Sequence, residues 1–435
     1  MNESFEYKGY WYISSNPNNK IAGILNYQPN NSIRLELFDS FSKSENPIIN
    51  FLERETIDII WGITSDAKKI SLINCFPSQG KQNLGCEFSL SFYNIQYCLV
   101  GIHIDNIDDK RFKSSKILMP LLTTWCYPGA IKKSIQFNKK NVGIKKINVS
   151  IDYEENDKPI TSVILNDNTI LEIKKNVDYN ESHYSEKKIL EQYTYFKINK
   201  KNEVSFKDFI HDIFEFENFI SLATLTTVKA SNIILIDESQ YQMIKSNKIF
   251  HPIKLYYKSE EKINNNTSKN DYFLFNYSQI NTDFPRIIQK WYSDNSNIIP
   301  IKKHLIKSIS FTNTFDSLDF LIIVQALEGF HTRFRIQKQM ILRQRLQSLI
   351  KEFNNIQFIN KLKIDIQVVV DSRNYYSHFM NKSEKPKTLD GYELYLITKE
   401  LRILLICCIL NYCGFENEKI EQFLLDSNNR GILNK

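Results

Sequence analysis

Asp371-Ser-Arg-Asn-Tyr-Tyr-Ser-His378 is the stretch from which the rest of the chain can be read. Arg373 and His378 stand five positions apart, and the polar Asn374 follows the arginine directly. A guanidinium can brace a phosphate with two parallel hydrogen bonds. Imidazole titrates near neutrality and can move a proton at physiological pH. The pairing points to phosphodiester chemistry, with Arg373, Asn374 and His378 as candidate catalytic residues. Before it, Ile364–Arg373 reads as a helix rich in valine; after it come a polar linker, Asn381 to Thr388, and a long apolar helix pattern.

The spacing constrains how the pair can work. Five positions at 3.6 residues per turn sweep roughly 140° beyond a full turn, so the two side chains are not expected on one helix face. Either the helix ends between them, or they meet across a surface completed by something else. A plainer explanation of the same string is an arginine near a helix C-terminus with a surface histidine beside it, which the helix dipole favours.

Arg373-Asn-Tyr-Tyr-Ser-His378, with helix patterns on both sides, resembles the R-x4-6-H motif of the HEPN ribonucleases. Upstream, Phe320-Leu-Ile-Ile-Val-Gln-Ala-Leu-Glu-Gly-Phe-His331 looks like the first helix of the ApeA-like HEPN subgroup. Gly9-Tyr-Trp11, Gly23-Ile-Leu25, Ile33-Arg-Leu-Glu-Leu37, Ile60-Trp-Gly-Ile63 and Ile70-Ser-Leu-Ile73 resemble the β-rich domain that precedes it in that subgroup. The resemblance touches both ends of the chain and is weakest between about residues 140 and 300. It implies an endoribonuclease that works as a homodimer or higher even-numbered oligomer. It also implies a place in bacterial anti-phage, abortive-infection defence, in which a dormant, toxin-like nuclease is released by a phage-derived signal. Structured tRNA is the substrate it suggests. HEPN toxins controlled by nucleotidyltransferase antitoxins often carry a tyrosine two residues after the histidine; here that position is Met380. That mode of control is not expected, and the large N-terminal portion is the expected regulator. The rival reading is a non-catalytic HEPN module that binds RNA or a protein partner. Such modules usually lack the arginine or the histidine, and both are present.

The chemistry can be followed from the residues. In RNA the 2′-OH can attack its own phosphate, leaving a 2′,3′-cyclic phosphate and a 5′-OH. The route needs a base, an acid, and stabilisation of the phosphorane charge, the last being a task for Arg373. One imidazole cannot readily be base and acid in a single step. A two-fold dimer would bring two, and such isologous interfaces are common. Tyr375 and Tyr376 are candidates for stacking on unpaired bases. No cofactor is expected and no metal site: the seven cysteines, at 75, 86, 98, 126, 407, 408 and 413, form no C-x2-C pair or Cys/His cluster with zinc spacing.

At 435 residues the chain is too long for one ordinary core. Its 42% hydrophobic and 24% charged residues suit a soluble globular protein. Glycine is sparse, 12 residues, and neither G-x4-G-K-[ST] nor G-x-G-x-x-G occurs, which argues against a phosphate-cradling loop. The start, Met1-Asn-Glu-Ser-Phe-Glu, lacks a basic and apolar leader. The most apolar run, Ile403 to Leu410, is shorter than the ~20 residues a membrane span needs. A cytoplasmic protein with reduced, buried cysteines and no membrane segment is expected. Net charge is +7, and residues 301–382 alone hold 13 Lys+Arg against 6 Asp+Glu, so the rest of the chain is close to neutral. A basic region around the motif is what an RNA surface needs, with Arg333 and Arg335 as candidate contacts. The competing view is that Arg333, Arg335, Lys338, Arg343 and Arg345 simply decorate a solvated helix face.

The expected fold class is α+β multidomain. Residues 1–200 read as a β-rich, sandwich-like or curved-sheet domain, with alternating or β-branched runs such as Ile33–Phe38, Ile70–Asn74 and Cys98–Ile104. Within it, Ile164 to Ile173 reads as a hairpin turning at Asn166–Asn168. Asp167, Glu172 and Lys174 there form a D…E-x-K string of the kind metal nucleases use, but solvent-facing hairpin residues explain it better. Residues 201–300 read as a mixed α/β connecting segment: a helix from Ser205, strands at Ile233–Ile236, Ile253–Tyr257 and Tyr272–Phe275, a mobile loop from Ser259 to Asn270, and a helix at Gln279–Ser293. Residues 301–435 read as an all-α HEPN bundle, with helices at Ser317–His331, Arg335–Phe353, Ile364–Arg373, Leu389–Tyr412 and Glu416–Ser427. In the first of these, Gln325, Glu328 and His331 fall at i, i+3 and i+6 as a polar stripe that either supports the site, by lining it or pairing with its arginine, or faces solvent.

Overall fold

The protein is described by a computed structural model covering residues 4–29, 31–41, 56–78, 90–138, 143–152, 154, 158–166, 168–180, 189–258, 273–293, 296–311, 316–335, 339–431 and 433. Asp167, Cys86, Lys338, Tyr272 and the stretch from Ser259 to Asn270 lie outside the described residues. The chain divides into two compact units. One comprises Met1–Thr123, Pro128–Phe216 and Lys229–Asn266; the other comprises Thr124–Tyr127, Glu217–Val228 and Thr267–Lys435. Residues 201–300 are therefore shared between them.

The first unit is built on strands β1 (Phe5–Tyr12), β2 (Ile21–Tyr27), β3 (Ile33–Leu37), β4 (Ile57–Thr64), β5 (Lys69–Ser78), β6 (Ser91–Val100) and β7 (Phe112–Leu118). After a one-turn helix, α1 (Leu122–Trp125), come β8 (Ile131–Phe137), β9 (Ile144–Ile151), β10 (Thr161–Asn166), β11 (Thr169–Asn180) and β12 (Ile189–Val204). Helix α2 (Phe206–Thr224) follows, then β13 (Asn232–Ile244) and β14 (Asn247–Tyr257). Among the described residues twelve strands form one sheet, ordered β10-β11-β12-β7-β13-β14-β6-β3-β2-β1-β4-β5. An additional antiparallel pairing of β5 with β6 closes six of them into a barrel. Period-two alternation decides which side chains fill it: Ile33, Leu35 and Leu37 of β3 are wholly buried, while Arg34 and Glu36 between them are not. Gly62 on β4 has a steric reason, since a Cβ there would overlap the ring of the fully buried Trp11. Among the described residues β8 and β9 pair only with each other, as a separate exposed ribbon.

The other strands continue as an open sheet, and the part of α2 within this unit covers one face of it. Phe216 packs on Phe196 with ring centroids 4.4 Å apart, and Phe214 meets Tyr257 edge-on. Ser205 starts the helix with its N–H and its hydroxyl both donating to the Asp208 carboxylate, which lies in the first turn, where the helix dipole favours negative charge. The buried Asp212 is paired with Lys200 at 2.5 Å.

The second unit is helical: α3 (Tyr277–Ile280), α4 (Phe284–Tyr292), α5 (Ile299–Ser310), α6 (Ser317–Phe334), α7 (Leu342–Glu352), α8 (Gln357–Asn360), α9 (Ile366–His378), α10 (Gly391–Tyr412) and α11 (Asn417–Asn429). α10 is its centre. Every residue from Ile403 to Leu410 is buried, because this helix packs against α5, α6, α7 and α11 and is apolar almost all round. No helix of the structure is long and apolar enough to cross a membrane. The six described cysteines are buried, and none is in a disulfide. Burial pushes the thiols of Cys75, Cys98, Cys407, Cys408 and Cys413 up, that of Cys413 to about 12.

Several boundaries differ from the sequence expectation, and the helix expected over Gln279–Ser293 is two, α3 and α4, parted by a turn at Asn281–Asp283. The helix expected from Arg335 begins at Leu342, because Arg335 caps the end of α6. The helix expected to stop at Arg373 runs through the whole motif to His378. Phe273–Phe275 is not a strand; Leu274 donates its N–H to Ala223 O at 2.9 Å, and Phe275 is buried among Phe219, Phe415 and Phe423.

Candidate active site

α9 begins at Asp365, whose carboxylate accepts from the N–H groups of Gln367 and Val368 at 2.8 and 3.3 Å. Few of its side chains are buried: Val369, Asp371 and Ser372 are, whereas Ile366, Val368 and Val370 are half-exposed. Two polar brackets tie it to the start of α10. Ser372 Oγ accepts from the N–H of Leu389 at 3.0 Å. The Tyr376 hydroxyl lies 3.1 Å from both Leu389 O and Asp390 Oδ1, and Asp390 in turn caps α10. Burial, and then the Asp390 carboxylate, push that phenol up to about 12. Tyr376 thus holds the helix in place, with Tyr375 edge-on at 4.9 Å.

The motif closes on itself within one chain. Arg373 Nη1 donates to His378 Nε2 at 2.6 Å and to Asn374 Oδ1 at 3.2 Å. The expectation that the helix ends between them, or that another surface must complete the contact, is corrected. Five residues rise only about 7.5 Å, and the arginine side chain spans that to reach the last helical residue. A guanidinium has no acceptor, so Nε2 must present its lone pair, which places the proton of a neutral His378 on Nδ1. His378 is exposed, and Phe379 after it turns into the left-handed region at φ 52°, ψ 36°.

On the other side of Arg373 stands Glu328 of α6, with Oε2 3.6 Å from Nη2. The same carboxylate is 3.9 Å from Arg345 Nε, and Arg345 is fixed by donating to Met340 O and to Thr332 Oγ1. Arg345, one of the charges for which a basic RNA surface and a solvated helix face were the alternatives, belongs to this cluster; its side chain is only 11% exposed.

The polar stripe does not hold as a unit. Residues three apart drift about 60° around a helix at each step, so the set turns from solvent to core. Gln325 is exposed and meets His304 at 3.3 Å; Glu328 is half-buried at the motif; His331 is wholly buried with neither ring nitrogen partnered. Burial, then the nearby Arg345, holds that imidazole below the usual histidine range. Arg333 and Arg335 are not brought to the motif. Arg333 donates to Asn297 O at 2.8 Å. Arg335 forks onto Glu352 at 2.6–2.9 Å, reaches Asn411, and lies over the Phe330 ring. It ties α6 to α7 and α10. Of the D…E-x-K residues that are described, Glu172 accepts from Asn199 at 3.1 Å and Lys174 lies on the same strand, β11. Among the described residues no group of three or more His, Cys, Asp or Glu side chains is placed to hold a metal ion.

Comparison with known families gives two matches along the chain. Residues 6–291 match the family model described as ApeA N-terminal domain 1, and residues 321–419 match that described as Apea-like HEPN. The second match contains Glu328, Arg345, Arg373, Asn374 and His378. No curated protein and no solved structure matches the chain.

Proposed function

The chain belongs to the ApeA-like HEPN family, and on that premise we propose that it is a metal-independent endoribonuclease of bacterial anti-phage defence, cutting RNA in the cytoplasm. The observation that carries this reading is the 2.6 Å contact between Arg373 and His378 at the exposed end of α9, inside the HEPN match. The nucleophile is the substrate's own 2′-OH, so the chain needs to supply only proton transfer and charge stabilisation. Arg373 is the phosphate ligand. Asn374 and Glu328 hold its planar fork from two sides while Nε and the remaining N–H groups turn to the phosphoryl oxygens.

In the unliganded arrangement the Nε2 lone pair of His378 is capped by Arg373. An incoming phosphate that draws the guanidinium away uncovers the base. Nε2 then takes the 2′-OH proton as the O2′–P bond forms and the P–O5′ bond breaks. The leaving O5′ takes a proton from the imidazolium of His378 in a second copy of the chain, and the products are a 2′,3′-cyclic phosphate and a 5′-OH. Half-exposed Ile366, Val368 and Val370 on the motif helix suit the two-fold contact this requires. The N-terminal β-rich unit is the proposed receiver of a phage-derived signal, and tRNA the proposed target.

The test is cleavage by purified chain of RNA from an infected host. His378→Ala and Arg373→Ala should each abolish cutting, and mixing wild type with an excess of His378→Ala chain should suppress it, because a mixed dimer holds only one of the two imidazoles. RNA that is bound and left intact by folded wild-type chain under activating conditions would make this a binding module.

A further inference from the structure

Phe379 is placed where a protein gains nothing by placing a phenylalanine. It directly follows His378, it takes the left-handed conformation in which glycine is at ease and a Cβ is strained, and 90% of its surface is exposed. The position closes α9, where glycine is the ordinary choice. Its surroundings are mostly polar: Ser377, His378, Asn381, Lys382 and Glu384 are exposed, Met380 is half-exposed, and neither Lys382 nor Lys385 has an ion-pair partner among the described residues.

We infer that Phe379 is a substrate-reading residue whose ring stacks on an unpaired base next to the scissile phosphate, restricting the enzyme to single-stranded RNA. This rests on the ribonuclease reading of the Arg373–His378 pair. Attack by a 2′-OH needs O2′, phosphorus and O5′ in line, which the stacked A-form helix does not allow, so the reacting nucleotide must leave its stack. An exposed aromatic face beside the base catalyst receives what has been unstacked, as aromatic side chains do at single-stranded RNA sites. A polyanion also suits the unpaired lysines that follow, where an apolar protein partner would not.

The experiment uses the full chain and a short unstructured RNA containing a mapped cleavage site. A copy with 2′-deoxyribose at the cut nucleotide serves for binding. Phe379→Gly should weaken binding and raise KM about tenfold, change kcat less than twofold, and leave the melting temperature unchanged or higher. Phe379→Trp should recover to within about twofold of wild type. An abasic nucleotide beside the cut should cost wild type the same factor and cost Phe379→Gly nothing further. Unchanged binding and KM in Phe379→Gly, multiplicative losses with the abasic RNA, or a glycine variant that sediments as a smaller oligomer would each overturn the inference. If wild type binds the RNA without cutting it, the ribonuclease reading fails while the binding comparison still decides the role of Phe379.

Discussion

Replacing Arg373 by lysine asks whether the site needs a positive charge or a planar fork. In the structure Nη1 serves Asn374 and His378 together while Nη2 faces Glu328 at 3.6 Å. A lysine ammonium keeps the charge but has one nitrogen, so it cannot stay anchored to Asn374 and grip two phosphoryl oxygens at once. The loss is at least one charge-assisted hydrogen bond made most strongly when the phosphorane forms, about 1.5–3 kcal/mol. At 1.4 kcal/mol per decade this is about a 10- to 150-fold fall in kcat. KM should move little, because Coulombic attraction for the phosphate survives. Single-turnover cleavage at saturating and sub-saturating RNA separates the two constants. Arg373→Lys cutting within threefold of wild type would refute the argument, as would a loss confined to KM.

Three further outcomes follow from other contacts. Tyr376→Phe should cost about 1 kcal/mol of stability and leave cleavage in place. Because the folded phenol titrates at about 12 against an ordinary value of 10.0, the folded form retains a proton that the unfolded chain loses. Stability should thus fall as pH rises from 10 towards 12, and a pH series of thermal melts should show that slope reduced in the variant. His331→Leu should stabilise the helical unit or leave it unchanged, since it replaces a buried imidazole with two unpartnered nitrogens. Its lowered folded pKa means that unfolded chain gains the proton first, so wild type should lose stability as pH falls below about 6.5 and His331→Leu should lose less. Asp167→Ala, Glu172→Ala and Lys174→Ala should each cut RNA at the wild-type rate; a dead variant among them would move the nuclease site to the sheet.

Much of the architecture was legible because it is written in local periodicity. The alternation of Ile33, Leu35 and Leu37 announces a half-buried strand, and the unbroken apolar run of α10 announces a helix buried on all sides. What escaped depends on partners distant in sequence. Closure of the barrel rests on β5 meeting β6, a pairing that neither strand signals alone. Asn374, Tyr375 and Tyr376 are indifferent helix formers, yet α9 continues through them because Ser372 and Tyr376 are bonded to Leu389 and Asp390. The site shows the same division. Arg373, Asn374 and His378 are neighbours in sequence and were visible as a set; the reach of Arg373 along its own helix was not, since angular spacing ignores side-chain length. Glu328 was visible only as one polar position among three, and helix rotation separated it from Gln325 and His331. Arg333 and Arg335 had the right charge, but composition does not reveal that Asn297 O and Glu352 hold them. A bulky apolar residue at a helix end, where glycine is usual, was the signal for Phe379.

The most direct test of the account is an end-group analysis of cleavage in EDTA, run on one RNA and on the same RNA with a single 2′-deoxy substitution at the cut nucleotide. The account predicts 2′,3′-cyclic phosphate and 5′-OH ends from the first, and no cut at that site in the second, which should still bind with only modestly reduced affinity because phosphate contacts dominate binding. Cleavage that requires a divalent metal, leaves 5′-phosphate ends, or proceeds at the deoxy-substituted position would contradict it.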